Sequence, residues 1–265
     1  VQLRIATWNV NSVRIRLDGI AALIEQHAPD VICLQETKVV DALFPLEAFA
    51  ALGYRHAVVT GIKGYNGVAI LSRLPLAHTE TPGWCGKADG RHALAVLENG
   101  IEINNFYVPA GGDVPDPAVN DKFAHKLQFL AEMTNWFAAR KAPGNRLVLV
   151  GDLNIAPLET DVWSHKALLK VVSHTPVEVE ALERLRAAHD WVDAVRAFIP
   201  PEQHVYSWWS YRARDWDAAD RGRRLDHVWV TPALADALTA AEVQREARGW
   251  AAPSDHVPVI ATLEV

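Results

Sequence analysis

The sequence predicts an α/β protein in which two β-sheets face each other and helices cover the outside. Three observations predict it. Short apolar strands outnumber helices, several strand patterns follow one another closely enough to pair antiparallel, and amphipathic helices separate others. No linker, low-complexity tract or close repeat interrupts the 265 residues, so the reading is one domain over residues 1–265.

The elements follow in order. LRIAT (3–7) and VICLQ (31–35) are apolar runs of strand length. Between them Leu17, Ile20, Ala21, Leu23 and Ile24 recur at helical spacing, and Pro29 stops that helix. PLEAFAAL (45–52) is a short helix with Pro45 in its first turn and Gly53 at its end. Strand patterns then crowd together at 54–60, 67–72, 92–98 and 101–108, closing a β-rich half near residue 109. From Asp121 to Ala139, the residues Phe123, Leu127, Leu130, Met133, Trp136 and Phe137 mark a long amphipathic helix. RLVLVG (146–151) is a strand, and a looser stretch runs to about 178. A charged helix spans 178–188, and the Trp-, Tyr- and Arg-rich segment 205–220 has no clean period and reads as loop. LDHVWV (225–230), the region 239–246 and VPVIATLEV (257–265) supply closing strands.

Composition narrows the function classes. Half the residues are apolar and 22% are charged, the proportions of a globular chain. No apolar run approaches the ~18 residues of a membrane span, and VQLRIATW shows no leader pattern, so a cytoplasmic protein without membrane association is expected. Only Cys33 and Cys85 are present, without zinc-ligand spacing, which also suits a reducing compartment. A formal net charge of -6 argues against a protein that coats nucleic acid non-specifically, and ten tryptophans are many for this length.

The chemical signal is positional. Asn9 stands just past the first strand, Glu36 past the second, and Asp152 and Asn154 past LVLVG. Asp226 opens another strand, and Asp255 and His256 precede the last. Singly these are weak: GDLN alone reads as a turn, and Asn9 alone as a strand end. Glu36 is stronger, because a carboxylate after four apolar residues is costly to bury without a cation or donor. Together they place carboxylate and amide oxygens where a rigid scaffold can aim them at one point, a set suited to a hard divalent ion such as Mg²⁺ or Mn²⁺. A nearby histidine suits a phosphate oxygen or a proton transfer.

WNVNSVR, LQETK, GVAILS, YVP, GDLNI, RLDH and SDHVPV resemble, in order and over essentially the whole chain, the signatures of the exonuclease III type of apurinic/apyrimidinic endonuclease, a branch of the endonuclease/exonuclease/phosphatase superfamily. The resemblance implies a four-layer α/β sandwich of two mixed sheets. It also implies a monomeric, Mg²⁺-dependent nuclease (Mn²⁺ being a possible substitute) acting on double-stranded DNA at abasic sites or 3′ ends. By similarity the metal-facing group is Asn9, Glu36, Asp152, Asn154, Asp255 and His256. Within it Asn9 and Glu36 hold the ion with Asp255 nearby, Asp152 deprotonates the attacking water, Asn154 places that water, and His256 binds the scissile phosphate. Tyr107 contacts the phosphate or assists the leaving oxygen, and Asp226 orients His256. The last role also follows from geometry: adjacent residues in extended chain point to opposite sides, so Asp255 is badly placed to hold its neighbour's imidazole.

For DNA the resemblance assigns Trp208, Arg223 and Leu225 to a slot for a flipped-out abasic sugar, an extrusion made easy by the missing pairing and stacking. Trp209 is open between pocket and core. Arg212, Arg214, Arg221, Arg223 and Arg224, with Arg14, Arg16, Lys38 and Lys63, are read as one DNA-facing surface. Departures from the family pattern fall at Ser12, at Ala110–Gly112 and at Arg223, away from the metal site. Other branches, of the deoxyribonuclease I or phosphoinositide and sphingolipid type, carry a mid-chain histidine where this chain has Tyr107. A non-catalytic relative would have lost ligands that are all present here.

Overall fold

Two six-stranded sheets, each with a parallel pair at its centre and antiparallel neighbours on both sides, make up the computed structural model, which describes residues 1–265. The first half of the chain runs β1 (Gln2–Asn9), α1 (Leu17–His27), β2 (Val31–Gln35), α2 (Leu46–Ala51), β3 (His56–Thr60), β4 (Val68–Ser72), β5 (Leu76–Glu80), β6 (His92–Leu97) and β7 (Glu102–Tyr107). There follow α3 (Asp121–Ala139), β8 (Leu147–Asp152), α4 (His165–Leu168), α5 (Pro176–Ala188), β9 (Val192–Asp193) and α6 (Ala194–Phe198). The chain then continues through α7 (Trp216–Ala219), β10 (Asp226–Val230), α8 (Pro232–Ala235), β11 (Leu238–Val243) and β12 (Val259–Glu264).

The first sheet has the order β11-β12-β1-β2-β4-β3 and the second β5-β6-β7-β8-β10-β9. The crossover between parallel β1 and β2 contains α1, and that between parallel β7 and β8 contains α3, as parallel neighbours require. Three apolar layers separate the four structural ones. Ile5, Cys33, Ile70, Ala95, Ile103, Val150, Val228 and Val259 fill the space between the sheets. Trp8, Ile32 and Leu34 on the outer face of the first sheet meet Ile20 and Leu23 of α1 and Phe49 of α2. Phe106, Leu149 and Trp229 on the outer face of the second meet Phe129, Met133 and Phe137 of α3 with Leu182 and Leu185 of α5. Each fully buried aliphatic or aromatic side chain contributes roughly 1.5–3 kcal/mol. This is the four-layer α/β sandwich expected.

Three local readings change. The charged helix begins at Pro176, two residues earlier than its charge pattern suggests, because Thr175 and Glu178 form a capping box around a proline in the first turn. β5 is an exposed edge strand with no buried face to create an alternation, and so leaves no periodic trace in the sequence. The segment 205–220 is largely irregular but holds α7, one turn capped by Asp215. Gly151 has a strict steric reason: a Cβ there would lie 1.9 Å from the Phe106 carbonyl oxygen, so only glycine lets β8 run this close to β7.

Candidate active site

The candidate site forms where one end of each sheet meets the other. Tyr107 ends β7, Asp152 ends β8, and Asp226 opens antiparallel β10. Their registers, Tyr107↔Asp152 and Asp226↔Asp152, put the three in one row across adjacent strands. The first sheet answers with Asn9 at the end of β1 and Glu36 just past β2, and the segment before β12 carries His256. Hydrogen bonds join the two sheets. Asn9 Nδ2 donates to Glu36 Oε1 at 2.8 Å and to Asp152 Oδ2 at 2.9 Å, and the Tyr107 hydroxyl donates to Glu36 Oε1 at 2.9 Å.

Two carboxylates facing each other across a strand pair repel. His256 resolves the conflict at this row. Its Nδ1 lies 2.8 Å from Asp226 Oδ2 and its Nε2 3.6 Å from Asp152 Oδ2, so the three form a line Asp226–His256–Asp152. Asp226 takes the Nδ1–H and so sets the ring orientation, which leaves Nε2 on the Asp152 side. Burial disfavours the imidazolium, but the Asp226 and Asp152 charges and the Asp226 hydrogen bond outweigh it and raise the His256 pKa well above its ordinary value. Burial likewise pushes Asp152 up to about 7, assisted by Asp226 and Glu36 and opposed by His256 and Asn9. Burial also acts upward on Glu36, yet Asn9, His256, Lys38 and Tyr107 together hold it below the usual carboxylate range. Tyr107 is raised well above 10 by burial and by the Glu36 and Asp152 charges, so its phenol stays protonated and acts as a donor.

Backbone conformation shapes the same corner. Glu36, Lys38 and Asn154 adopt left-handed φ values of 50°, 57° and 53°, a conformation that costs of order 1–3 kcal/mol each and that surrounding contacts must enforce. Asn154 is held by its N–H to Asp152 Oδ1 at 3.0 Å and its side-chain amide to Val108 O at 2.8 Å. From beneath, the fully buried Lys126 donates to Asn154 O at 2.8 Å and to Ala110 O at 3.2 Å while paired with Glu178 at 2.6 Å. Ser254 donates to Asn9 O at 2.6 Å and accepts from the His256 N–H, and the Trp8 indole donates to His256 O at 3.0 Å. Ser207 donates to Asp226 Oδ2 at 2.7 Å.

Beside this line opens a cleft of about 530 Å³ whose lining includes Glu36, Tyr107, Asn154, His256, Trp208, Arg223 and Leu225. Leu225 packs with Ala156, Val162 and Leu168, and Trp208 lies against them. The Trp208 indole donates to Asp255 Oδ2 at 3.0 Å. At the mouth Lys38 bonds Asn11 and lies 3.2 Å from Glu36 Oε2, and Arg16 donates to the Tyr211 hydroxyl at 3.1 Å.

The model of the endonuclease/exonuclease/phosphatase family matches residues 6–256. The chain belongs to that family. Among family members, exodeoxyribonuclease III of Haemophilus influenzae is 31% identical over 270 residues, covering 97% of this chain and 98% of the relative. Two solved structures superpose with a TM-score of 0.91 at 32% identity, each covering 99% of this chain and 100% of its own. One is an AP endonuclease from Archaeoglobus fulgidus, and the other is the 3′ phosphatase NExo from Neisseria bound to a product DNA hairpin.

Within this family member the ligand atoms of Glu36, Asp152 and His256 lie within 4.8 Å of one another. The buried Asp152 and half-buried Glu36 carboxylates, sharing one amide N–H₂, are an electron-rich oxygen set that fits a hard divalent cation. Asn9 turns its nitrogen toward them while Oδ1 accepts from the Asn11 N–H, so a ligand role requires its amide to turn over. Asp255 stands apart from the trio, on the Trp208 side. Arg224 corrects the surface reading: it is wholly buried, bracketed by Asp161 and Asp193, and cannot face DNA. Trp209 is likewise core, packed on Ala247 and Val257. Arg14, Lys63, Arg212, Arg214 and Arg221 are exposed. Sequence reasoning passed over Lys126, Ser207 and Ser254. Lys126 left one trace, a charge on the apolar stripe of its helix between Phe123 and Leu130.

Proposed function

We propose that this chain is a metal-dependent DNA repair nuclease. It hydrolyses the phosphodiester 5′ to an abasic site, leaving a 3′-hydroxyl and a 5′-phosphate, and removes nucleotides or blocking groups from 3′ ends. The observation that carries this reading is the Asp226–His256–Asp152 line beside Glu36 and Asn9. It is supported by nearly full-length similarity to proteins named exodeoxyribonuclease III, AP endonuclease and 3′ phosphatase.

Asp152, with a proton affinity raised toward neutrality, accepts the proton of the attacking water, the range in which a general base works best at pH 7. Asn154 places that water. The protonated His256, steadied by Asp226, gives its Nε2–H to a phosphate oxygen as charge develops there, and the Tyr107 hydroxyl is a second donor. Glu36, Asn9 and, after a side-chain shift, Asp255 would hold Mg²⁺, for which Mn²⁺ can substitute. The bound ion supplies Lewis-acid neutralisation of phosphate charge. Trp208 and Leu225 form an apolar wall for a baseless sugar, and Lys38 meets backbone phosphate. The protein acts as a monomer.

The test is a pair of duplex oligonucleotides, one with an internal abasic analogue and one intact with a recessed 3′ end, each incubated with Mg²⁺ or with EDTA. Incision 5′ to the analogue and 3′ shortening, both abolished by EDTA, are expected. Cleavage that survives the chelator removes the metal from the mechanism. Two uncut DNAs alongside a hydrolysed phosphoinositide would place the activity in another branch of the family.

A further inference from the structure

Beneath the reacting row the apolar interior is interrupted by three polar side chains. Residues two apart on a strand share a face, so Thr7 lies under Asn9 on β1 and Asn105 under Tyr107 on β7, while Gln35 immediately precedes Glu36 at the end of β2. One level further down, Ile5, Cys33 and Ile103 of the same strands belong to the aliphatic layer between the sheets. Thr7, Gln35 and Asn105 expose no surface at all. Gln35 Nε2 donates to Asn105 Oδ1 at 2.7 Å and to Thr7 Oγ1 at 2.9 Å. Asn105 Nδ2 reaches across to the first sheet and donates to Leu34 O at 3.0 Å and Ala69 O at 2.9 Å, the carbonyls of one paired rung of β2 and β4.

Stability alone does not ask for this cluster. Each of its bonds replaces one to water and returns little net free energy, and Gln35 Oε1 is buried without a protein partner. Aliphatic side chains would have continued the layer below. Hydrogen bonds add direction, because they hold both a distance and an angle narrowly. The group that needs such control is next along the chain. Glu36 has a left-handed φ of 50°, a strained conformation that its surroundings must enforce. After it, the Ser12 N–H bonds Glu36 O at 2.8 Å and the Thr37 N–H bonds Gly67 O at 3.1 Å. Before it, the Val10 N–H bonds Gln35 O at 3.1 Å, and the Gln35 side chain is gripped by Thr7 and Asn105. Asn105 belongs to the strand whose Tyr107 hydroxyl donates to Glu36 Oε1.

We propose that Thr7, Gln35 and Asn105 are positioning residues that set where the Glu36 carboxylate is presented, beside Asp152 and toward the metal. They govern Mg²⁺ affinity and turnover, and the fold is stable without them. The kinetic part rests on the nuclease reading of the site.

The experiment uses shape-conserving substitutions: Asn105→Leu together with Gln35→Met in one protein, Thr7→Val in a second, and Thr7→Ser, which keeps the hydroxyl, in a third. Each is measured for its urea midpoint without metal, for its Mg²⁺ Kd by calorimetry on the DNA-free protein, and for kcat and KM on an abasic duplex. Replacing both polar partners together leaves neither one facing an apolar neighbour, so the double variant is expected to match or exceed the wild-type midpoint. Its Mg²⁺ Kd should weaken and its kcat fall, each about 10- to 100-fold, with KM within about threefold of wild type. Thr7→Val should show the same split at an unchanged midpoint, and Thr7→Ser should recover most of the loss. If the double variant does not fold, the two Thr7 variants decide by the same criteria. Unchanged Mg²⁺ affinity and kcat, or losses confined to variants whose midpoint also drops, overturn the proposal while wild-type cleavage leaves the nuclease reading intact. If the wild-type protein binds Mg²⁺ but cuts no duplex, the nuclease reading falls and the calorimetric comparison alone decides the role of the cluster. A wild-type protein that neither binds Mg²⁺ nor cuts removes both.

Discussion

Asp152 and Asp226 face each other at the end of a strand pair with an imidazole between them, and this one arrangement determines how each should respond to substitution. Asp152→Asn keeps the size and the hydrogen bond from Asn9 but removes the base. Single-turnover cleavage should fall by about 10² to 10³ or more while a gel-shift measurement shows DNA binding retained. Full activity in that variant would remove Asp152 from the role. Asp226→Asn acts through His256. The native imidazolium is raised by Asp226, so the state that donates to phosphate is present at low pH and is lost as pH rises through the His256 pKa. Without the Asp226 charge that pKa drops, and the alkaline limb of the rate profile should move to lower pH in addition to a loss of kcat. A variant with an unshifted profile would show that Asp226 only fills space.

At the scale of elements, β6 and β7 carry a buried aromatic stack whose protonation links fold stability to pH. His92 stacks on Phe106 with centroids 3.8 Å apart, accepts at Nδ1 from the Trp84 indole, and bonds Asn104 Oδ1 through Nε2. Burial holds its pKa down at about 3, against an unfolded value of 6.5. The unfolded chain therefore binds the proton first on acidification. The native state has its full stability above pH ~6.5 and loses about 1.4 kcal/mol per pH unit between there and pH ~3. Urea titrations at pH 7 and 5 should show this slope, and it should be shallower in His92→Phe, whatever the variant's absolute stability. In the Lys126–Glu178 pair, Lys126→Met leaves a buried carboxylate without its cation, though still bonded by Ser173 and Thr175, and should cost about 3–5 kcal/mol in the same assay. The legibility of these elements follows their physics. Strand Val31–Gln35 is visible as an unbroken apolar run and helix α3 as an apolar stripe at helical spacing, and the polar residues that end such strands are visible as interruptions of the run. β5 has no buried face to announce it. Arg224 reads as surface because its partners Asp161 and Asp193 are 63 and 31 residues away, so its burial depends on contacts no local pattern encodes. Arg223 and Arg224 are identical letters side by side, and only the fold separates a structural ion pair from a cation facing the cleft.

The whole molecule carries a net charge of -6, so DNA must be met by individual cations such as Arg16, Lys38 and the exposed Arg212 and Arg214. If about four of them meet phosphates, log K for DNA should fall with log salt at a slope of about -3 to -4. Fluorescence anisotropy from 50 to 200 mM salt measures this, and a flat dependence would exclude a backbone-tracking surface. The hydrogen bonds from Asn9 to Asp152 and from Tyr107 to Glu36 have a larger consequence, because each crosses from one sheet to the other. Neither sheet owns the reacting centre. A lateral slide of one against the other by an ångström would part both bonds without unfolding anything, and misplacement on that scale can reduce a rate about 100-fold. The apolar layer between the sheets thus serves as the alignment bed of the catalyst. Trimming Val150 or Ile103 should depress turnover well before it melts the protein, making catalysis the more sensitive gauge of how squarely the two sheets are seated.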